Sequence, residues 1–219
     1  MLRVMIAKEL REAAGIVAIA AAFYVHYLSR AMRHDILPWH YGYVDYNAIP
    51  FINLNSLGSL AWVSAALALA LGFRQTVGES IYGTWLFLRH RPVGWRWLLG
   101  VKLFVGLTVY LFCAAAAVLA YAWWAATPGT HASPFEWSMT APAWKDWISM
   151  PLLYFGAFLS GLRPARWFGT RLLPLVFAGA FAFWLPDLRW WPVGGLCVIG
   201  LLSAAFVAVI FFVARTRDF

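Results

Sequence analysis

The sequence predicts an all-α integral membrane protein with six transmembrane helices, an N-terminal amphipathic interfacial helix and a short cytoplasmic helix between spans two and three. Three observations carry that prediction. Sixty-three per cent of the 219 residues are hydrophobic and 12% charged, with a mean hydropathy of +0.71, beyond what a soluble domain tolerates. Long intervals lack charge altogether: Ala13–Leu28, Tyr46–Phe73, Leu103–Phe135, Trp147–Leu162, Leu172–Pro186 and Trp190–Ala214. The cations are also distributed unevenly between the segments that alternate across the membrane.

A helix needs roughly 20 apolar residues to cross about 30 Å of hydrocarbon. The spans are therefore placed at 13–29, 51–73, 99–125, 145–163, 167–186 and 190–214, within a single transmembrane domain covering 1–219. The fourth and fifth are short and recruit flanking residues such as Trp144 and Trp167. With the N-terminus in the cytoplasm, 13 of the 17 Lys and Arg residues fall on the inner side, and Arg30, Arg33, Lys145 and Arg189 on the outer. By the positive-inside rule both termini face the cytoplasm of a multi-pass protein in the plasma or inner membrane. The net charge of +8 is then inner-face charge and requires no nucleic-acid partner.

In the first twelve residues Leu2, Met5, Ile6 and Leu10 share one helical arc, with Arg3, Lys8, Arg11 and Glu12 outside it and Glu9 intruding upon it. This pattern suits either a charged flank of the first span or a helix lying on the inner leaflet. The first outer loop carries Trp39, Tyr41, Tyr43 and Tyr46, rings that favour the headgroup zone. His34, Asp35 and His40 lack a spaced Cys or second acid to complete a tetrahedral set, so no metal is predicted. The second outer loop holds Pro128, Pro134 and Pro142 and is too short for a domain of its own. Ser56, Ser59 and Ser64, then Gly156, Ser160 and Gly161, then Gly194, Gly195 and Gly200 supply small residues for close helix packing, within the chain or between subunits. Cys113 and Cys197 lie in predicted spans without a partner motif.

Catalysis within the membrane requires ionisable groups at depth. The predicted spans place no Asp, Glu, Lys or Arg well inside them. Phe158–Gly161 reads FLSG and resembles the serine motif of intramembrane rhomboid proteases, but their first glycine is missing and no histidine follows on a later span. There is no HExxH, P-loop or GxGxxG. The chain is not predicted to be an enzyme, and no cofactor is predicted.

The informative stretch is Phe73 to Lys102. Glu79 to Leu88 suits about three turns of helix, and Pro92 ends it by lacking an amide donor and by biasing Arg91 away from helical geometry. In sequence order the stretch offers an acid (Glu79), Gly83-Thr84, an apolar run from Trp85 to Leu88, the turn Pro92-Val93-Gly94-Trp95-Arg96 and Gly100-Val101-Lys102 entering the third span. This order resembles the cytoplasmic coupling segment of type-2 (ABC-2) permeases of the ATP-binding-cassette transporters. Ile6–Glu12 (IAKELRE) resembles that family's amphipathic N-terminal helix, and Arg215–Phe219 its C-terminal tail.

The resemblance implies a permease subunit powered by two copies of a separate ATPase subunit, since this chain holds no P-loop. It implies a homodimer, or a heterodimer with a paralogous permease, each chain supplying half of the path. Glu79, Tyr82, Gly83, Thr84, Trp85, Arg91 and Pro92 would couple to the ATPase, and Lys8, Glu9 and Arg11 would belong to the interfacial helix. Glu79 would pair either with a cation of the ATPase or with the Arg3–Lys8–Arg11 face. Apolar and hydroxyl-bearing spans suit a hydrophobic or amphipathic cargo, and export direction follows from the family alone. The alternative is a membrane scaffold or assembly factor that transports nothing. For the topology, Ser133→Cys is expected to react with an impermeant thiol reagent in intact cells and Thr84→Cys is not; labelling at position 84 from outside would reverse the orientation.

Overall fold

The structure, a computed structural model, describes residues 2–32, 49–52, 54–81, 94–131, 133–166, 169–188 and 191–216; at 54–57 only the backbone is described. The described residues are helical, with no strand among them. In chain order the helices are α1 (Leu2–Ala31), α2 (Leu54–Ile81), α3 (Trp95–Ala126), α4 (Ala141–Ser149), α5 (Pro151–Leu162), α6 (Leu173–Trp184) and α7 (Val193–Thr216). Single 3₁₀ turns precede α4, precede α6 and follow α6.

Four helices, α1, α2, α3 and α7, are long and apolar enough to cross a membrane. The first differs from expectation. No separate interfacial helix is present, because residues 2–12 continue without interruption into the first span as one 30-residue helix. Nothing in that stretch breaks a helix: it contains no proline, and its first glycine, Gly15, lies in open space.

The expected fourth and fifth spans have a different form. The chain stays helical through Met150, whose amide donates to the Asp146 carbonyl (3.1 Å). Pro151 then brings no amide of its own, and the backbone divides into α4 and α5. Pro174 and Pro186 likewise stand at the first positions of α6 and of the 3₁₀ turn after it, where a missing donor is tolerated. Each of these helices is too short to cross the bilayer alone.

α5 is the centre of the molecule: all twelve of its residues are buried, with α2, α6 and α7 packed around it. α1 and α3 lie on the other side of α2. Small residues permit this closeness. A Cβ on Gly72 of α2 would stand 2.6 Å from the Tyr154 carbonyl oxygen and 2.9 Å from the Phe158 amide, and one on Gly156 would meet Ala178 of α6. One on Gly161 would collide with Thr76. Gly156, Ser160 and Gly161 thus serve packing within the chain, one of the two uses left open by sequence.

Arg171, just ahead of α6, closes the other end of α5. Its guanidinium donates to the Ser160 and Gly161 carbonyls, both at 2.9 Å, satisfying acceptors that a helix C-terminus leaves over. At the opposite end of the bundle Phe51 is fully buried and its ring lies 4.6 Å from that of Tyr121. Midway, Tyr24 and Ser64 share a 2.7 Å hydrogen bond, and Tyr110 donates to the Trp147 carbonyl at 3.0 Å.

α7 is the least covered long helix: only 17% of its most apolar window is buried. Its outward residues, Leu196, Leu201, Val209 and Phe212 among them, are exposed, as a surface facing lipid or another subunit requires. For the core, Gly72→Ala is expected to destabilise by about 1–3 kcal/mol, since the added methyl meets backbone that cannot move aside. Gly200→Ala, with open space around it, should leave the midpoint unchanged or raised. Thermal unfolding of the two variants in detergent is the check.

Candidate functional site: a buried ion network joining three helices

Charges gather at one end of the bundle. Lys102 on α3 is 2% exposed, Glu9 on α1 5% and Glu79 on α2 4%. Lys102 Nζ donates to Glu9 Oε1 at 2.7 Å and to Glu79 Oε1 at 2.8 Å. Lys8, half-buried on α1, reaches the same Glu79 oxygen at 2.8 Å and Glu12 at 3.3 Å. Arg74 stands 3.7 Å from the second Glu12 oxygen. Among the described residues the network balances three carboxylates with three cations.

Two neutral groups extend it to the central helix. Gln75 donates to the Lys102 carbonyl (2.9 Å) and to Glu9 Oε2 (3.4 Å). Its own carbonyl accepts from the Tyr154 hydroxyl at 2.7 Å, which links α2 to α5. Gly106, one turn beyond Lys102, leaves the space these two side chains fill: a Cβ there would collide with the Tyr154 hydroxyl and stand 2.6 Å from Gln75 Oε1.

Helix geometry sets the level of the site. Glu9 and Lys102 each lie seven residues from the start of their helices, and Gln75 and Glu79 six and two residues from the end of α2. At 1.5 Å per residue the network lies roughly 3–11 Å inside this end of the bundle. Burial at that depth is costly for a lone ion and tolerable for ions that pair and hydrogen-bond. Lys102 borders a charge-free interval and Glu9 and Glu79 lie four and six residues outside theirs, so the spans hold no charge well inside them, yet all three side chains are buried in the protein.

Carboxylate oxygens of Glu9, Glu12 and Glu79 lie within 4.8 Å of one another, a spacing compatible with a cation. The ammonium groups of Lys8 and Lys102 already stand among them, so the chemistry is that of an ion-pair network. The network joins α1, α2 and α3 at one level.

Of the residues singled out by sequence, the structure unites Lys8, Glu9 and Glu79. Of the two partners considered for Glu79, one was the cationic face of the N-terminal segment, and Lys8 of that face is seen against it. Glu79 belongs to the last turns of α2. Arg11 is exposed and outside the network. Tyr82, Gly83, Thr84, Trp85, Arg91 and Pro92 lie outside the described residues. Sequence reasoning missed Glu12, Gln75 and Tyr154 and assigned Lys102 no site role. The available signals were the four-residue spacings Gln75–Glu79 and Lys102–Gly106, each of which marks one helix face.

Comparisons with family models, curated proteins and solved structures return no match. The two lysines differ in a testable way. Lys102→Met leaves two buried carboxylates without their shared cation and is expected to destabilise by about 3–5 kcal/mol. Lys8→Met removes an ammonium that is 41% exposed, where water already screens it, and should cost far less. Equilibrium unfolding of both in the same detergent checks the order.

Proposed function

We propose that the chain is the membrane-spanning permease subunit of an ATP-binding-cassette transporter of the type-2 exporter class. The observation that carries this reading is convergence. Lys8 and Glu9 of the N-terminal segment, Glu79 ahead of Gly83-Thr84, and Lys102 of Gly-Val-Lys are among the residues on which the family resemblance rests. The pairs Lys8–Glu79, Glu9–Lys102 and Glu79–Lys102 are separated by 23 to 93 positions, yet their charged groups meet within 2.7–2.8 Å. Order along the chain and proximity in space are independent properties, and both select the same residues.

The network also suggests how force passes. The segment 82–93 joins α2 to α3, and Glu79 and Lys102 flank it on either side. An ATPase that grips this segment pulls on the last turn of α2 and the first turns of α3 together. The Glu79–Lys102 pair keeps those two helices in step, and Lys8 and Glu9 carry the displacement to α1. A coupling role for Tyr82, Gly83, Thr84, Trp85, Arg91 and Pro92 rests on the resemblance.

Six spans, with both termini in the cytoplasm, complete the proposal. Residues 141–162, helical through Met150, extend to about 33 Å at 1.5 Å per residue, enough for a span once the break at Pro151 is included. The 13-to-4 cation bias places the ion network at the cytoplasmic end. Above it the interior offers Tyr24, Ser64 and Tyr110, with one acid, Asp146, within electrostatic reach of Tyr110; a lining of rings and hydroxyls with so little charge suits a hydrophobic or amphipathic cargo. The open face of α7 is compatible with a dimer, each copy supplying half of the path, with two ATPase subunits beneath.

The test is recovery of the chain from its native membrane under mild detergent. An ATP-hydrolysing chain is expected to co-purify and to be stimulated by this subunit, and Trp85→Ala should weaken that association by about 2 kcal/mol. Recovery without any ATPase, together with unchanged hydrolysis when candidate ATPases are added back, would remove the permease reading and leave the scaffold.

A further inference from the structure

We propose that the groove between the start of α3 and the end of α7 binds the headgroup of an anionic phospholipid. α7 packs chiefly on α5, so a cavity of about 950 Å³ remains where its last turns pass the first turn of α3. Trp95, Arg96 and Trp97 line it from one helix, and Phe211, Phe212 and Arg215 from the other. The volume falls within the range of ordinary ligand sites.

The chemistry selects the occupant. Arg96 and Arg215 come from positions more than a hundred residues apart and face one cavity, and neither has a carboxylate partner among the described residues. No acid is among the described lining residues. Guanidinium groups match phosphate oxygens in geometry as well as charge. The aromatic rings beside them, with Trp97 and Phe212 largely exposed, suit the glycerol and the upper acyl chain, as rings at a membrane interface do. A soluble anion would use the arginines and leave the rings bare. A second copy of the same groove would oppose arginine to arginine. A lipid phosphate with its chain satisfies both halves, and basic pockets between helices at the cytoplasmic face are suited to such headgroups.

The full chain, purified in a neutral detergent, is titrated with phosphatidylglycerol, phosphatidylcholine or inorganic phosphate, and bound lipid is counted by native mass spectrometry alongside the unfolding temperature. Phosphatidylglycerol is expected to bind and to raise that temperature, and the other two are not. Arg96→Gln with Arg215→Gln should weaken phosphatidylglycerol roughly thirtyfold, whereas Arg3→Gln with Arg11→Gln, a pair of exposed cations at the same end of the bundle, should retain it. If the first double variant does not fold, Arg215→Gln alone, at an exposed helix end, is expected to lose roughly fivefold. Equal binding of phosphatidylcholine overturns the proposal, as does an equal response to inorganic phosphate. Equal loss in the Arg3/Arg11 pair, or no loss in the Arg96 and Arg215 variants, also overturns it. None of these readouts involves an ATPase or transport, so failure here is separable from failure of the permease reading.

Discussion

The arrangement depends on one shared ammonium group. Lys102 has no access to water that could solvate it, and its charge is met by Glu9 from α1 and Glu79 from α2 at 2.7 and 2.8 Å. Three helices must therefore approach within side-chain reach at one level, or all three ions are left stranded in an apolar interior. A hydrophobic substitute for such a network is often as stable. What the ions supply beyond stability is registry: α1, α2 and α3 cannot slide by a turn without breaking every pair at once.

Close packing elsewhere makes this registry possible. Gly72, Gly156 and Gly161 allow α5 to sit against α2 and α6 at backbone distance, which brings the Tyr154 hydroxyl within 2.7 Å of Gln75. Through Gln75 the central helix joins the charged one. The bundle is thus held by dispersion contacts along α5 and by electrostatics at one end. The other end relies on aromatic packing, with Phe51 against Tyr121, and Trp144 stands edge-on to Trp147 nearer the middle. Electrostatic definition at one end and softer contacts at the other would allow a pull on the ionic end to move helices as bodies.

The long apolar helices were legible because length and hydropathy are local properties. α3 and α7 fall close to the intervals expected, and α1 and α2 overrun their cytoplasm-assigned ends, α2 by eight residues, because charged residues near a helix end do not stop the helix. The hairpin of 145–163 and 167–186 was less legible: Pro151, Pro174 and Pro186 divide it where a hydropathy window sees only continuity. The site was legible in part. Lys8 and Glu9 drew notice beside the apolar arc of the first segment and Glu79 as the acid of the family-like stretch, but charge read along the chain does not report burial. Gln75 offered only its four-residue spacing from Glu79, and Tyr154 gave no sign, because a polar residue in a hydrophobic run announces neither its partner nor the helix that brings that partner close.

The most direct test of the account is a double-mutant cycle between Glu9 and Lys102, 93 positions apart in sequence. Unfolding free energies are measured in one detergent for Glu9→Gln, Lys102→Gln and the pair. If the buried ion pair joins α1 to α3, the double variant should be less damaged than the sum of the singles, with an interaction energy of about 1.5–3 kcal/mol. Additivity within about 0.3–0.5 kcal/mol would mean that the two residues do not share an interaction and would contradict the network on which the fold and the proposed coupling both rest.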